Sequence, residues 1–379
     1  MGDATPPRDD TLLPSRRFLV AWTAVVVVLT LLAWFLLPRW SWYGHSRTGR
    51  VERGRVRKVE AEGSADRLTV ACPSGELTLE VERPAGIYAP QAVRAGERVL
   101  VRFGPEGPSL GPKVRDRTLL VVLALFFVIL AVAGGPRALR TALSLAAAFL
   151  LLAVVLVPLT RAGWDPLAVA LPLAVVIAGG TIFVVAGLNR KSLAAFLGTL
   201  GGLALALAVA AYSSWLLTLT GLSVDFGPYK YLGTTYWQSE LVGHIDFERL
   251  LIAGVVLSCL GAAMDVAISV ATAVHEIVVN RPDVPRREAV RRGVSVGRAA
   301  VWMTAATFFF VLLGANMEPF LARSMQHGAA EWVRLLGFEE IAVEAVRVAA
   351  AGLAMTLVAP LTALFAGLLL TRRAGGERR

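Results

Sequence analysis

Long apolar stretches separated by short polar segments dominate the chain. Eight of them approach or exceed the roughly 17–25 residues that a membrane-spanning helix requires. They are residues 18–37, 118–134, 139–158, 166–187, 193–219, 250–274, 299–317 and 345–370. The pattern predicts a mainly α, polytopic helical membrane protein with eight spans.

The periodicity changes between the first two stretches. Over residues 48–115, valines and leucines alternate with charged residues, which is typical of half-buried strands. Turn sequences at Pro73-Ser74-Gly75, Pro84-Ala85-Gly86 and Ala95-Gly96-Glu97 punctuate them. Five or six short strands here predict a small, OB-like β-barrel or sandwich between spans one and two. A ligand-binding role and a mechanical or gating role for this domain both stay open.

Basic residues predict the orientation. Seventeen Lys and Arg residues fall on segments that are cytoplasmic if the N-terminus is inside, against five in the short outer loops. Both termini are therefore expected in the cytoplasm of a bacterial cell, with the β-rich domain outside. The first stretch is longer than the apolar core of a signal peptide and no small-residue cleavage site follows it, so an uncleaved anchor helix is expected.

These expectations divide the chain into five parts. They are an N-terminal tail at 1–17, a first membrane helix at 18–37, an extracytoplasmic β-rich domain at 38–117, a seven-helix membrane domain at 118–370 and a basic tail at 371–379. Segment 281–298 is expected to form a short basic amphipathic helix after Pro285, lying against anionic headgroups.

Composition agrees with a membrane protein and narrows the function classes. Of 379 residues, 56% are hydrophobic and only 17% are charged, against about 25% charged in soluble domains. The net charge of +10 does not require nucleic acid, since basic loops also fix membrane topology. Cys72 and Cys259 lie in unlike environments and are not expected to pair. No phosphate-binding loop, dinucleotide fingerprint or nucleophile elbow is present, so no cofactor and no enzyme activity are predicted.

The sixth stretch carries the clearest candidate chemistry. Seven small or polar residues recur at intervals of three and four, so they share one helix face. They are Gly254, Ser258, Gly261, Asp265, Ser269, Thr272 and Glu276. A carboxylate near mid-membrane is costly and is a functional hypothesis by default. Two interpretations stay open: a water-filled path in which Asp265 takes up a proton or cation, and a tight helix seam in which a neighbour satisfies Asp265.

A metal site is not predicted beside this stripe. His275-Glu276 begins like the zinc-protease signature H-E-x-x-H, but Val279 stands where the second histidine is needed. An interfacial polar pair at the end of the helix is expected instead.

Spans seven and eight add weaker candidates. Glu340, Glu344 and Arg347 share a helix face and predict either a solvated outer surface or an acidic outer mouth. Pro360 is expected to break span eight and to free a carbonyl that the hydroxyls of Thr356 and Thr362 partly satisfy. Broken helices of this kind often line transport sites.

Small residues also interrupt the fifth stretch. Gly198, Gly201 and Gly202 predict a kink or a close helix contact, and the first and last have small-xxx-small spacing.

Several of these motifs together resemble the YibE/F membrane proteins. The matching runs are 261–269 (GAAMDVAIS), Gly297-Arg298, Glu340-Ile341-Ala342 with Glu344 and Arg347, and Pro360-Leu361-Thr362-Ala363. The resemblance covers about residues 50–370, with departures at Ala299 and at Ala306-Thr307. It implies a multi-pass membrane protein, in a family sometimes supposed to contain permeases, and supplies no substrate.

The leading hypothesis is a permease-like transporter of an unidentified small solute or ion. The stripe would line the path, Asp265 would be its intramembrane carboxylate, and Glu340, Glu344 and Arg347 would form its outer mouth. The alternative is a non-transporting receptor or assembly factor that binds an envelope ligand or partner through its outward β-domain. The expected partners are the lipid bilayer and that solute or ion; self-association and an envelope partner stay open.

Overall fold

A computed structural model describes residues 50–62, 65–82, 93–104, 107–221, 245–317 and 337–371, with Trp22, Ala24, Val27, Val28 and Leu321. The chain divides into two compact units, one over Pro38–Gly135 and one that includes Pro136–Arg379. Most of the predicted first span, the turn at Pro84-Ala85-Gly86 and the basic tail lie outside the described residues.

The first unit contains a nearly closed antiparallel sheet of five strands. The strands are β1 (Arg50–Glu62), β2 (Ala65–Cys72), β3 (Gly75–Glu82), β4 (Arg98–Gly104) and β5 (Gly107–Lys113), in the order β3-β2-β1-β4-β5. The long strand β1 pairs with β4 through its first half and with β2 through its second half, and Arg55 faces both partners. Edge strands β3 and β5 approach each other.

The alternating pattern buries one face of this sheet. Its core consists of Val56, Leu68, Val70, Leu79, Val99 and Val101. The predicted turns before Gly75 and at Gly96 are confirmed, and both glycines have positive φ (133° and 92°). Glycine is favoured there because other residues rarely adopt this backbone conformation.

Seven α-helices follow within the described residues. They are α1 (Asp116–Leu151), α2 (Val157–Arg161), α3 (Pro166–Ala186), α4 (Arg190–Leu217), α5 (Phe247–Asn280), α6 (Arg286–Ala315) and α7 (Glu339–Leu370), and one π-helical turn (Leu152–Leu156) joins α1 to α2. Among the residues that the structure describes, six segments are long and apolar enough to cross a membrane: Ala138–Arg161, α3, α4, α5, α6 and Ile341–Leu370.

These six segments match the last six predicted spans. The second predicted span lies inside α1, whose apolar part Thr118–Ile129 is shorter. Helix α1 also continues through residues 135–138, which separate the second and third predicted spans. The loop predicted between these two spans is therefore wrong as secondary structure. Gly134, Gly135 and Pro136 are poor helix formers and therefore favoured a break in the sequence, but the helix runs through them. The count of eight spans stays a prediction.

Helix α6 also differs from the prediction. Residues 286–298 do form a helix after Pro285, but it is continuous with the apolar segment that follows. Ala289, Gly293, Gly297 and Val301 are buried at intervals of four residues. A Cβ at Gly297 would lie 2.8 Å from Val270 Cγ2 on α5 and 2.9 Å from Ala359 Cβ on α7. The basic segment therefore packs against two helices, because glycine lets them approach closely.

Side-chain caps fix where α3, α4 and α5 begin. Asp165 precedes Pro166 and accepts hydrogen bonds from the amides of Leu167 (2.9 Å) and Ala168 (3.4 Å). Asn189 accepts one from the Ser192 amide at 2.8 Å. Such caps satisfy amides that have no partner within the helix.

Candidate functional site

Helix α5 is the central helix of the second unit. It packs against α3, α4, α6 and α7. Its buried face is built from valine, alanine and other apolar residues, and Val255, Ala263, Val266, Ala267, Val270, Ala271 and Val274 are each at most 1% exposed. The rest of the helix circumference carries the predicted stripe.

The stripe lies on the open face of α5. Gly261, Asp265, Ser269 and Glu276 are exposed, and Gly254, Ser258 and Thr272 are half-buried. The described helices therefore cover the apolar side of α5 and leave its polar side uncovered.

The glycines of the stripe differ from those of a packed seam. Apart from the neighbouring residues and backbone of α5 itself, no atom of the described residues lies within 4 Å of a Cβ built at Gly254 or Gly261. At Gly198 and Gly202 on α4, a Cβ would overlap Thr362 and Val358 of α7. The close helix contact predicted at Gly198 and Gly202 is thus present, and α4 runs through them without interruption.

Asp265 has no hydrogen-bond or ion-pair partner within the part of the chain that the structure describes. Its neighbours one turn away on the same face are Gly261 and Ser269, which leave the carboxylate sterically accessible. A carboxylate in this setting can accept a proton or hold a cation without first breaking an internal bond. Nearer the N-terminal end of α5, the Ser258 hydroxyl donates to its own helix, at 2.7 Å from the Val255 carbonyl oxygen.

His275 and Glu276 lie in the last two turns of α5. His275 is half-buried and Glu276 is exposed at the end of the stripe. Glu276 thus continues the polar face of Asp265 toward the α5–α6 connection.

Two residues of the predicted outer mouth, Glu344 and Arg347, are less exposed than residues on a solvated surface. Glu344 and Arg347 form an ion pair one turn apart on α7, with side chains 22% and 24% exposed. Glu344 Oε2 and Arg347 Nε are buried without a partner among the described residues. The backbone of Glu340 is helical, but its side chain lies outside the described part of the structure.

The predicted helix break does not interrupt α7. The helix runs through Pro360, which is exposed. The Thr356 hydroxyl donates to the Gly352 carbonyl oxygen at 2.8 Å. Thr362 is fully buried against Gly198, and its hydroxyl has no partner among the described residues. Thr362 therefore belongs to the α4–α7 contact rather than to the stripe.

A pocket of mixed polar and apolar lining at the same end as Glu344 was not predicted. Its volume is about 490 Å³, and its lining is Ser214, Trp215, Thr218, Leu219, Thr220, Asp246, Phe247 and Glu248. The Ser214 hydroxyl donates to Glu248 at 3.0 Å, and Glu339 accepts from the Thr220 and Gly221 amides at 2.6 and 2.8 Å. Asp246 directly precedes α5. An aspartate at this position is a signal for the start of a helix, and it could have marked this end of α5 in the sequence.

An ion pair ties α3 to α5 at this end. Arg249 binds Asp165 and also approaches Asp246, at 3.3 Å. Partial desolvation alone would raise the pKa of Asp165, but the Leu167 and Ala168 amides and the Arg249 guanidinium together lower it below its usual value. The ion pair between Arg249 and Asp165 therefore connects α3 and α5 at one end of the two helices.

Comparison with known proteins gives one match. A family model described as YibE/F-like protein matches residues 122–372, well over half of the chain. No curated protein and no solved structure matches. The matched region contains the stripe, the Glu344–Arg347 pair and the α4–α7 contact.

Proposed function

The chain belongs to the YibE/F-like protein family, and we propose that it is a permease-like transporter of a small solute or ion in the bacterial cytoplasmic membrane. Both termini would be cytoplasmic, as the basic residues predict. Six membrane-length helices support the membrane setting.

The observation that carries this proposal is the exposure of the stripe on a helix that is otherwise buried. Exposing a carboxylate, two glycines and hydroxyls to lipid hydrocarbon is unfavourable, and ionisable groups in spans face water-filled cavities or polar partners. Asp265 lies about 27 Å along the helix from Phe247, within the apolar length of α5. A water-filled path along the stripe removes the cost of exposing these groups.

In this account Asp265 binds and releases a proton or cation during transport. Ser258, Ser269 and Thr272 offer hydroxyl oxygens above and below it on the same face. Glu276 stands at one end of the path, and the Glu344–Arg347 pair, with Glu340 beside it, stands toward the other.

Ion flux into proteoliposomes tests the proposal. The purified full-length protein is reconstituted with an enclosed pH dye, and a potassium diffusion potential drives proton entry. Asp265→Asn is expected to reduce the flux to that of protein-free vesicles, since the amide cannot exchange the proton. Asp283→Asn, the same change at an exposed residue beyond the stripe, is the control and is expected to leave the flux unchanged. Equal flux through wild-type protein and Asp265→Asn would contradict the assigned role.

The alternative is a receptor or assembly factor that acts through the β-sheet unit. It is favoured by one observation: the sheet has a hydrophobic core of its own, separate from the helices. A photo-crosslinking residue at Val51, which is 49% exposed, tests it in intact cells. Specific crosslinks to an envelope protein that persist in Asp265→Asn, together with absent flux in wild-type vesicles, would favour this alternative.

A further inference from the structure

One face of helix α6 changes from basic to aromatic along its length. Arg287, Arg291, Arg298, Trp302 and Phe309 follow one another at intervals of four, seven, four and seven residues, which places them on the same side of the helix. All five are exposed, and Trp302 is 75% exposed.

Packing on the opposite side fixes this face outward. A Cβ at Gly293 would overlap Val274 of α5 and would lie 3.3 Å from Ala363 Cβ of α7. Because Gly293 and Gly297 hold α6 against both helices, the helix cannot rotate to bury its arginines.

The three arginines carry uncompensated charge. Within the described residues, Arg287, Arg291 and Arg298 have no ion-pair partner. The single carboxylate in the sequence of α6, Glu288, is bound to Arg292 on another side of the helix. The face therefore presents three unpaired arginines, and the nearest carboxylate on the helix is already paired with Arg292.

Distances along the helix match the layers of a bilayer. Arg298 is eighteen residues from Asn316 at the far end, or about 27 Å, close to the roughly 30 Å of a hydrocarbon core. Arg298 thus falls at headgroup depth when the apolar half of α6 spans the membrane. Trp302 lies about 6 Å further toward the hydrocarbon, and Arg291 about 10 Å further toward water.

We propose that this face binds an anionic phospholipid. Arg298 and Arg291 hold the headgroup phosphate, since guanidinium groups match phosphate geometry, and an acyl chain lies along Trp302 and Phe309. A negatively charged headgroup is favoured over a zwitterionic one because arginines near the membrane surface are attracted to anionic lipid. This site lies apart from the stripe and does not depend on the transport proposal.

Quenching of tryptophan fluorescence by brominated lipids tests the site. The full-length protein in detergent is titrated with brominated phosphatidylglycerol or brominated phosphatidylcholine. The anionic lipid is expected to quench at lower concentration than the zwitterionic lipid. Trp302→Phe is expected to reduce that difference, because Trp302 lies one helical turn from Arg298 on the same face.

Two charge variants of α6 distinguish a specific lipid site from general electrostatic attraction between the protein and anionic lipid. Arg298→Gln is expected to raise the half-quenching concentration of phosphatidylglycerol by about tenfold, from the loss of one charge-assisted phosphate contact. Arg292→Gln removes the same charge from another side of α6 and is expected to change the half-quenching concentration less than twofold. Arg292 and Arg298 are both exposed, so both variants should fold, and gel filtration checks this.

Three results would overturn the proposal. One is equal quenching by the two lipids in wild-type protein, and another is an equal effect of Arg292→Gln and Arg298→Gln. The third is full displacement of the lipid by millimolar inorganic phosphate with no effect of Trp302→Phe, which would mark a site for free anions.

Discussion

A methyl group at Gly198 would overlap the Thr362 hydroxyl, because these two residues meet where α4 crosses α7. Gly202 meets Val358 one turn further along. This contact fixes α7 beside α4, and both helices pack against α5. The open stripe on α5 is thus held in a rigid frame.

Gly198→Ala is expected to lower the free energy of unfolding by about 1–3 kcal/mol, because the added methyl group has no room. Gly261→Ala, on the stripe, is expected to leave stability unchanged or raise it by up to about 1 kcal/mol, since alanine favours helix. Unfolding of the purified protein in detergent measures both. An equal penalty at the two positions would mean that a neighbour packs on the stripe, contrary to the open-face account.

Asp165 combines a helix cap with an ion pair, and two substitutions separate the roles. Asp165→Asn keeps a capping oxygen and loses only the charge facing Arg249, so a loss below about 1 kcal/mol is expected. Asp165→Ala loses the cap as well and is expected to cost about 1 kcal/mol more. Thermal unfolding in detergent distinguishes them. Equal losses in the two variants would assign the whole effect to the ion pair.

The same carboxylate predicts a pH dependence. Its pKa is lowered in the folded protein from the usual 3.8. Its contribution is therefore complete above about pH 4 and is lost as the pH falls through the lowered pKa. The stability difference between wild type and Asp165→Asn should be constant from pH 5 to 8 and should shrink toward pH 2. A difference that grows on acidification would contradict this assignment.

Glu344 and Arg347 are expected to be strongly coupled. Each is about three-quarters buried, so removing one partner leaves a partly buried charge unpaired. A double-mutant cycle with Glu344→Gln and Arg347→Gln should give a coupling of about 1–3 kcal/mol. The pair Glu288–Arg292, with side chains 31% and 45% exposed, serves as the more exposed reference and should give about 0.5 kcal/mol or less. Equal couplings for the two pairs would place Glu344–Arg347 on a solvated surface instead.

Much of the helical architecture could be predicted from the lengths of the apolar stretches in the sequence alone. The last six predicted spans correspond to helices, and the period-two pattern of 48–115 marked the sheet. The continuity of α6 was missed because its first half is rich in arginine and was assigned to a separate amphipathic helix at the membrane surface. The spacing of Ala289, Gly293, Gly297 and Val301 carried the missing information, since four-residue intervals of small residues mark a helix contact.

The difference between a packed and an open face could not be predicted. Gly198 and Gly202 on α4 resemble Gly254 and Gly261 on α5 in type and setting, yet the first pair is packed against α7 and the second pair is uncovered. Small residues permit close approach but do not require it, so tertiary structure decides which outcome occurs. The half-buried position of Glu344 and Arg347 is a further result of packing that an i,i+3 spacing does not reveal.

Thiol accessibility at position 265 tests the central claim, that the stripe lines an aqueous path. Cys72 and Cys259 are replaced by serine, and cysteine is introduced by Asp265→Cys, by Phe310→Cys at an exposed apolar site or by Val266→Cys at a buried one. Intact cells and inverted vesicles are then treated with a small, charged, membrane-impermeant thiol reagent. The account predicts labelling of Asp265→Cys from at least one side, several times above both controls. Labelling of Asp265→Cys no greater than that of Phe310→Cys from either side, in folded protein, would contradict it.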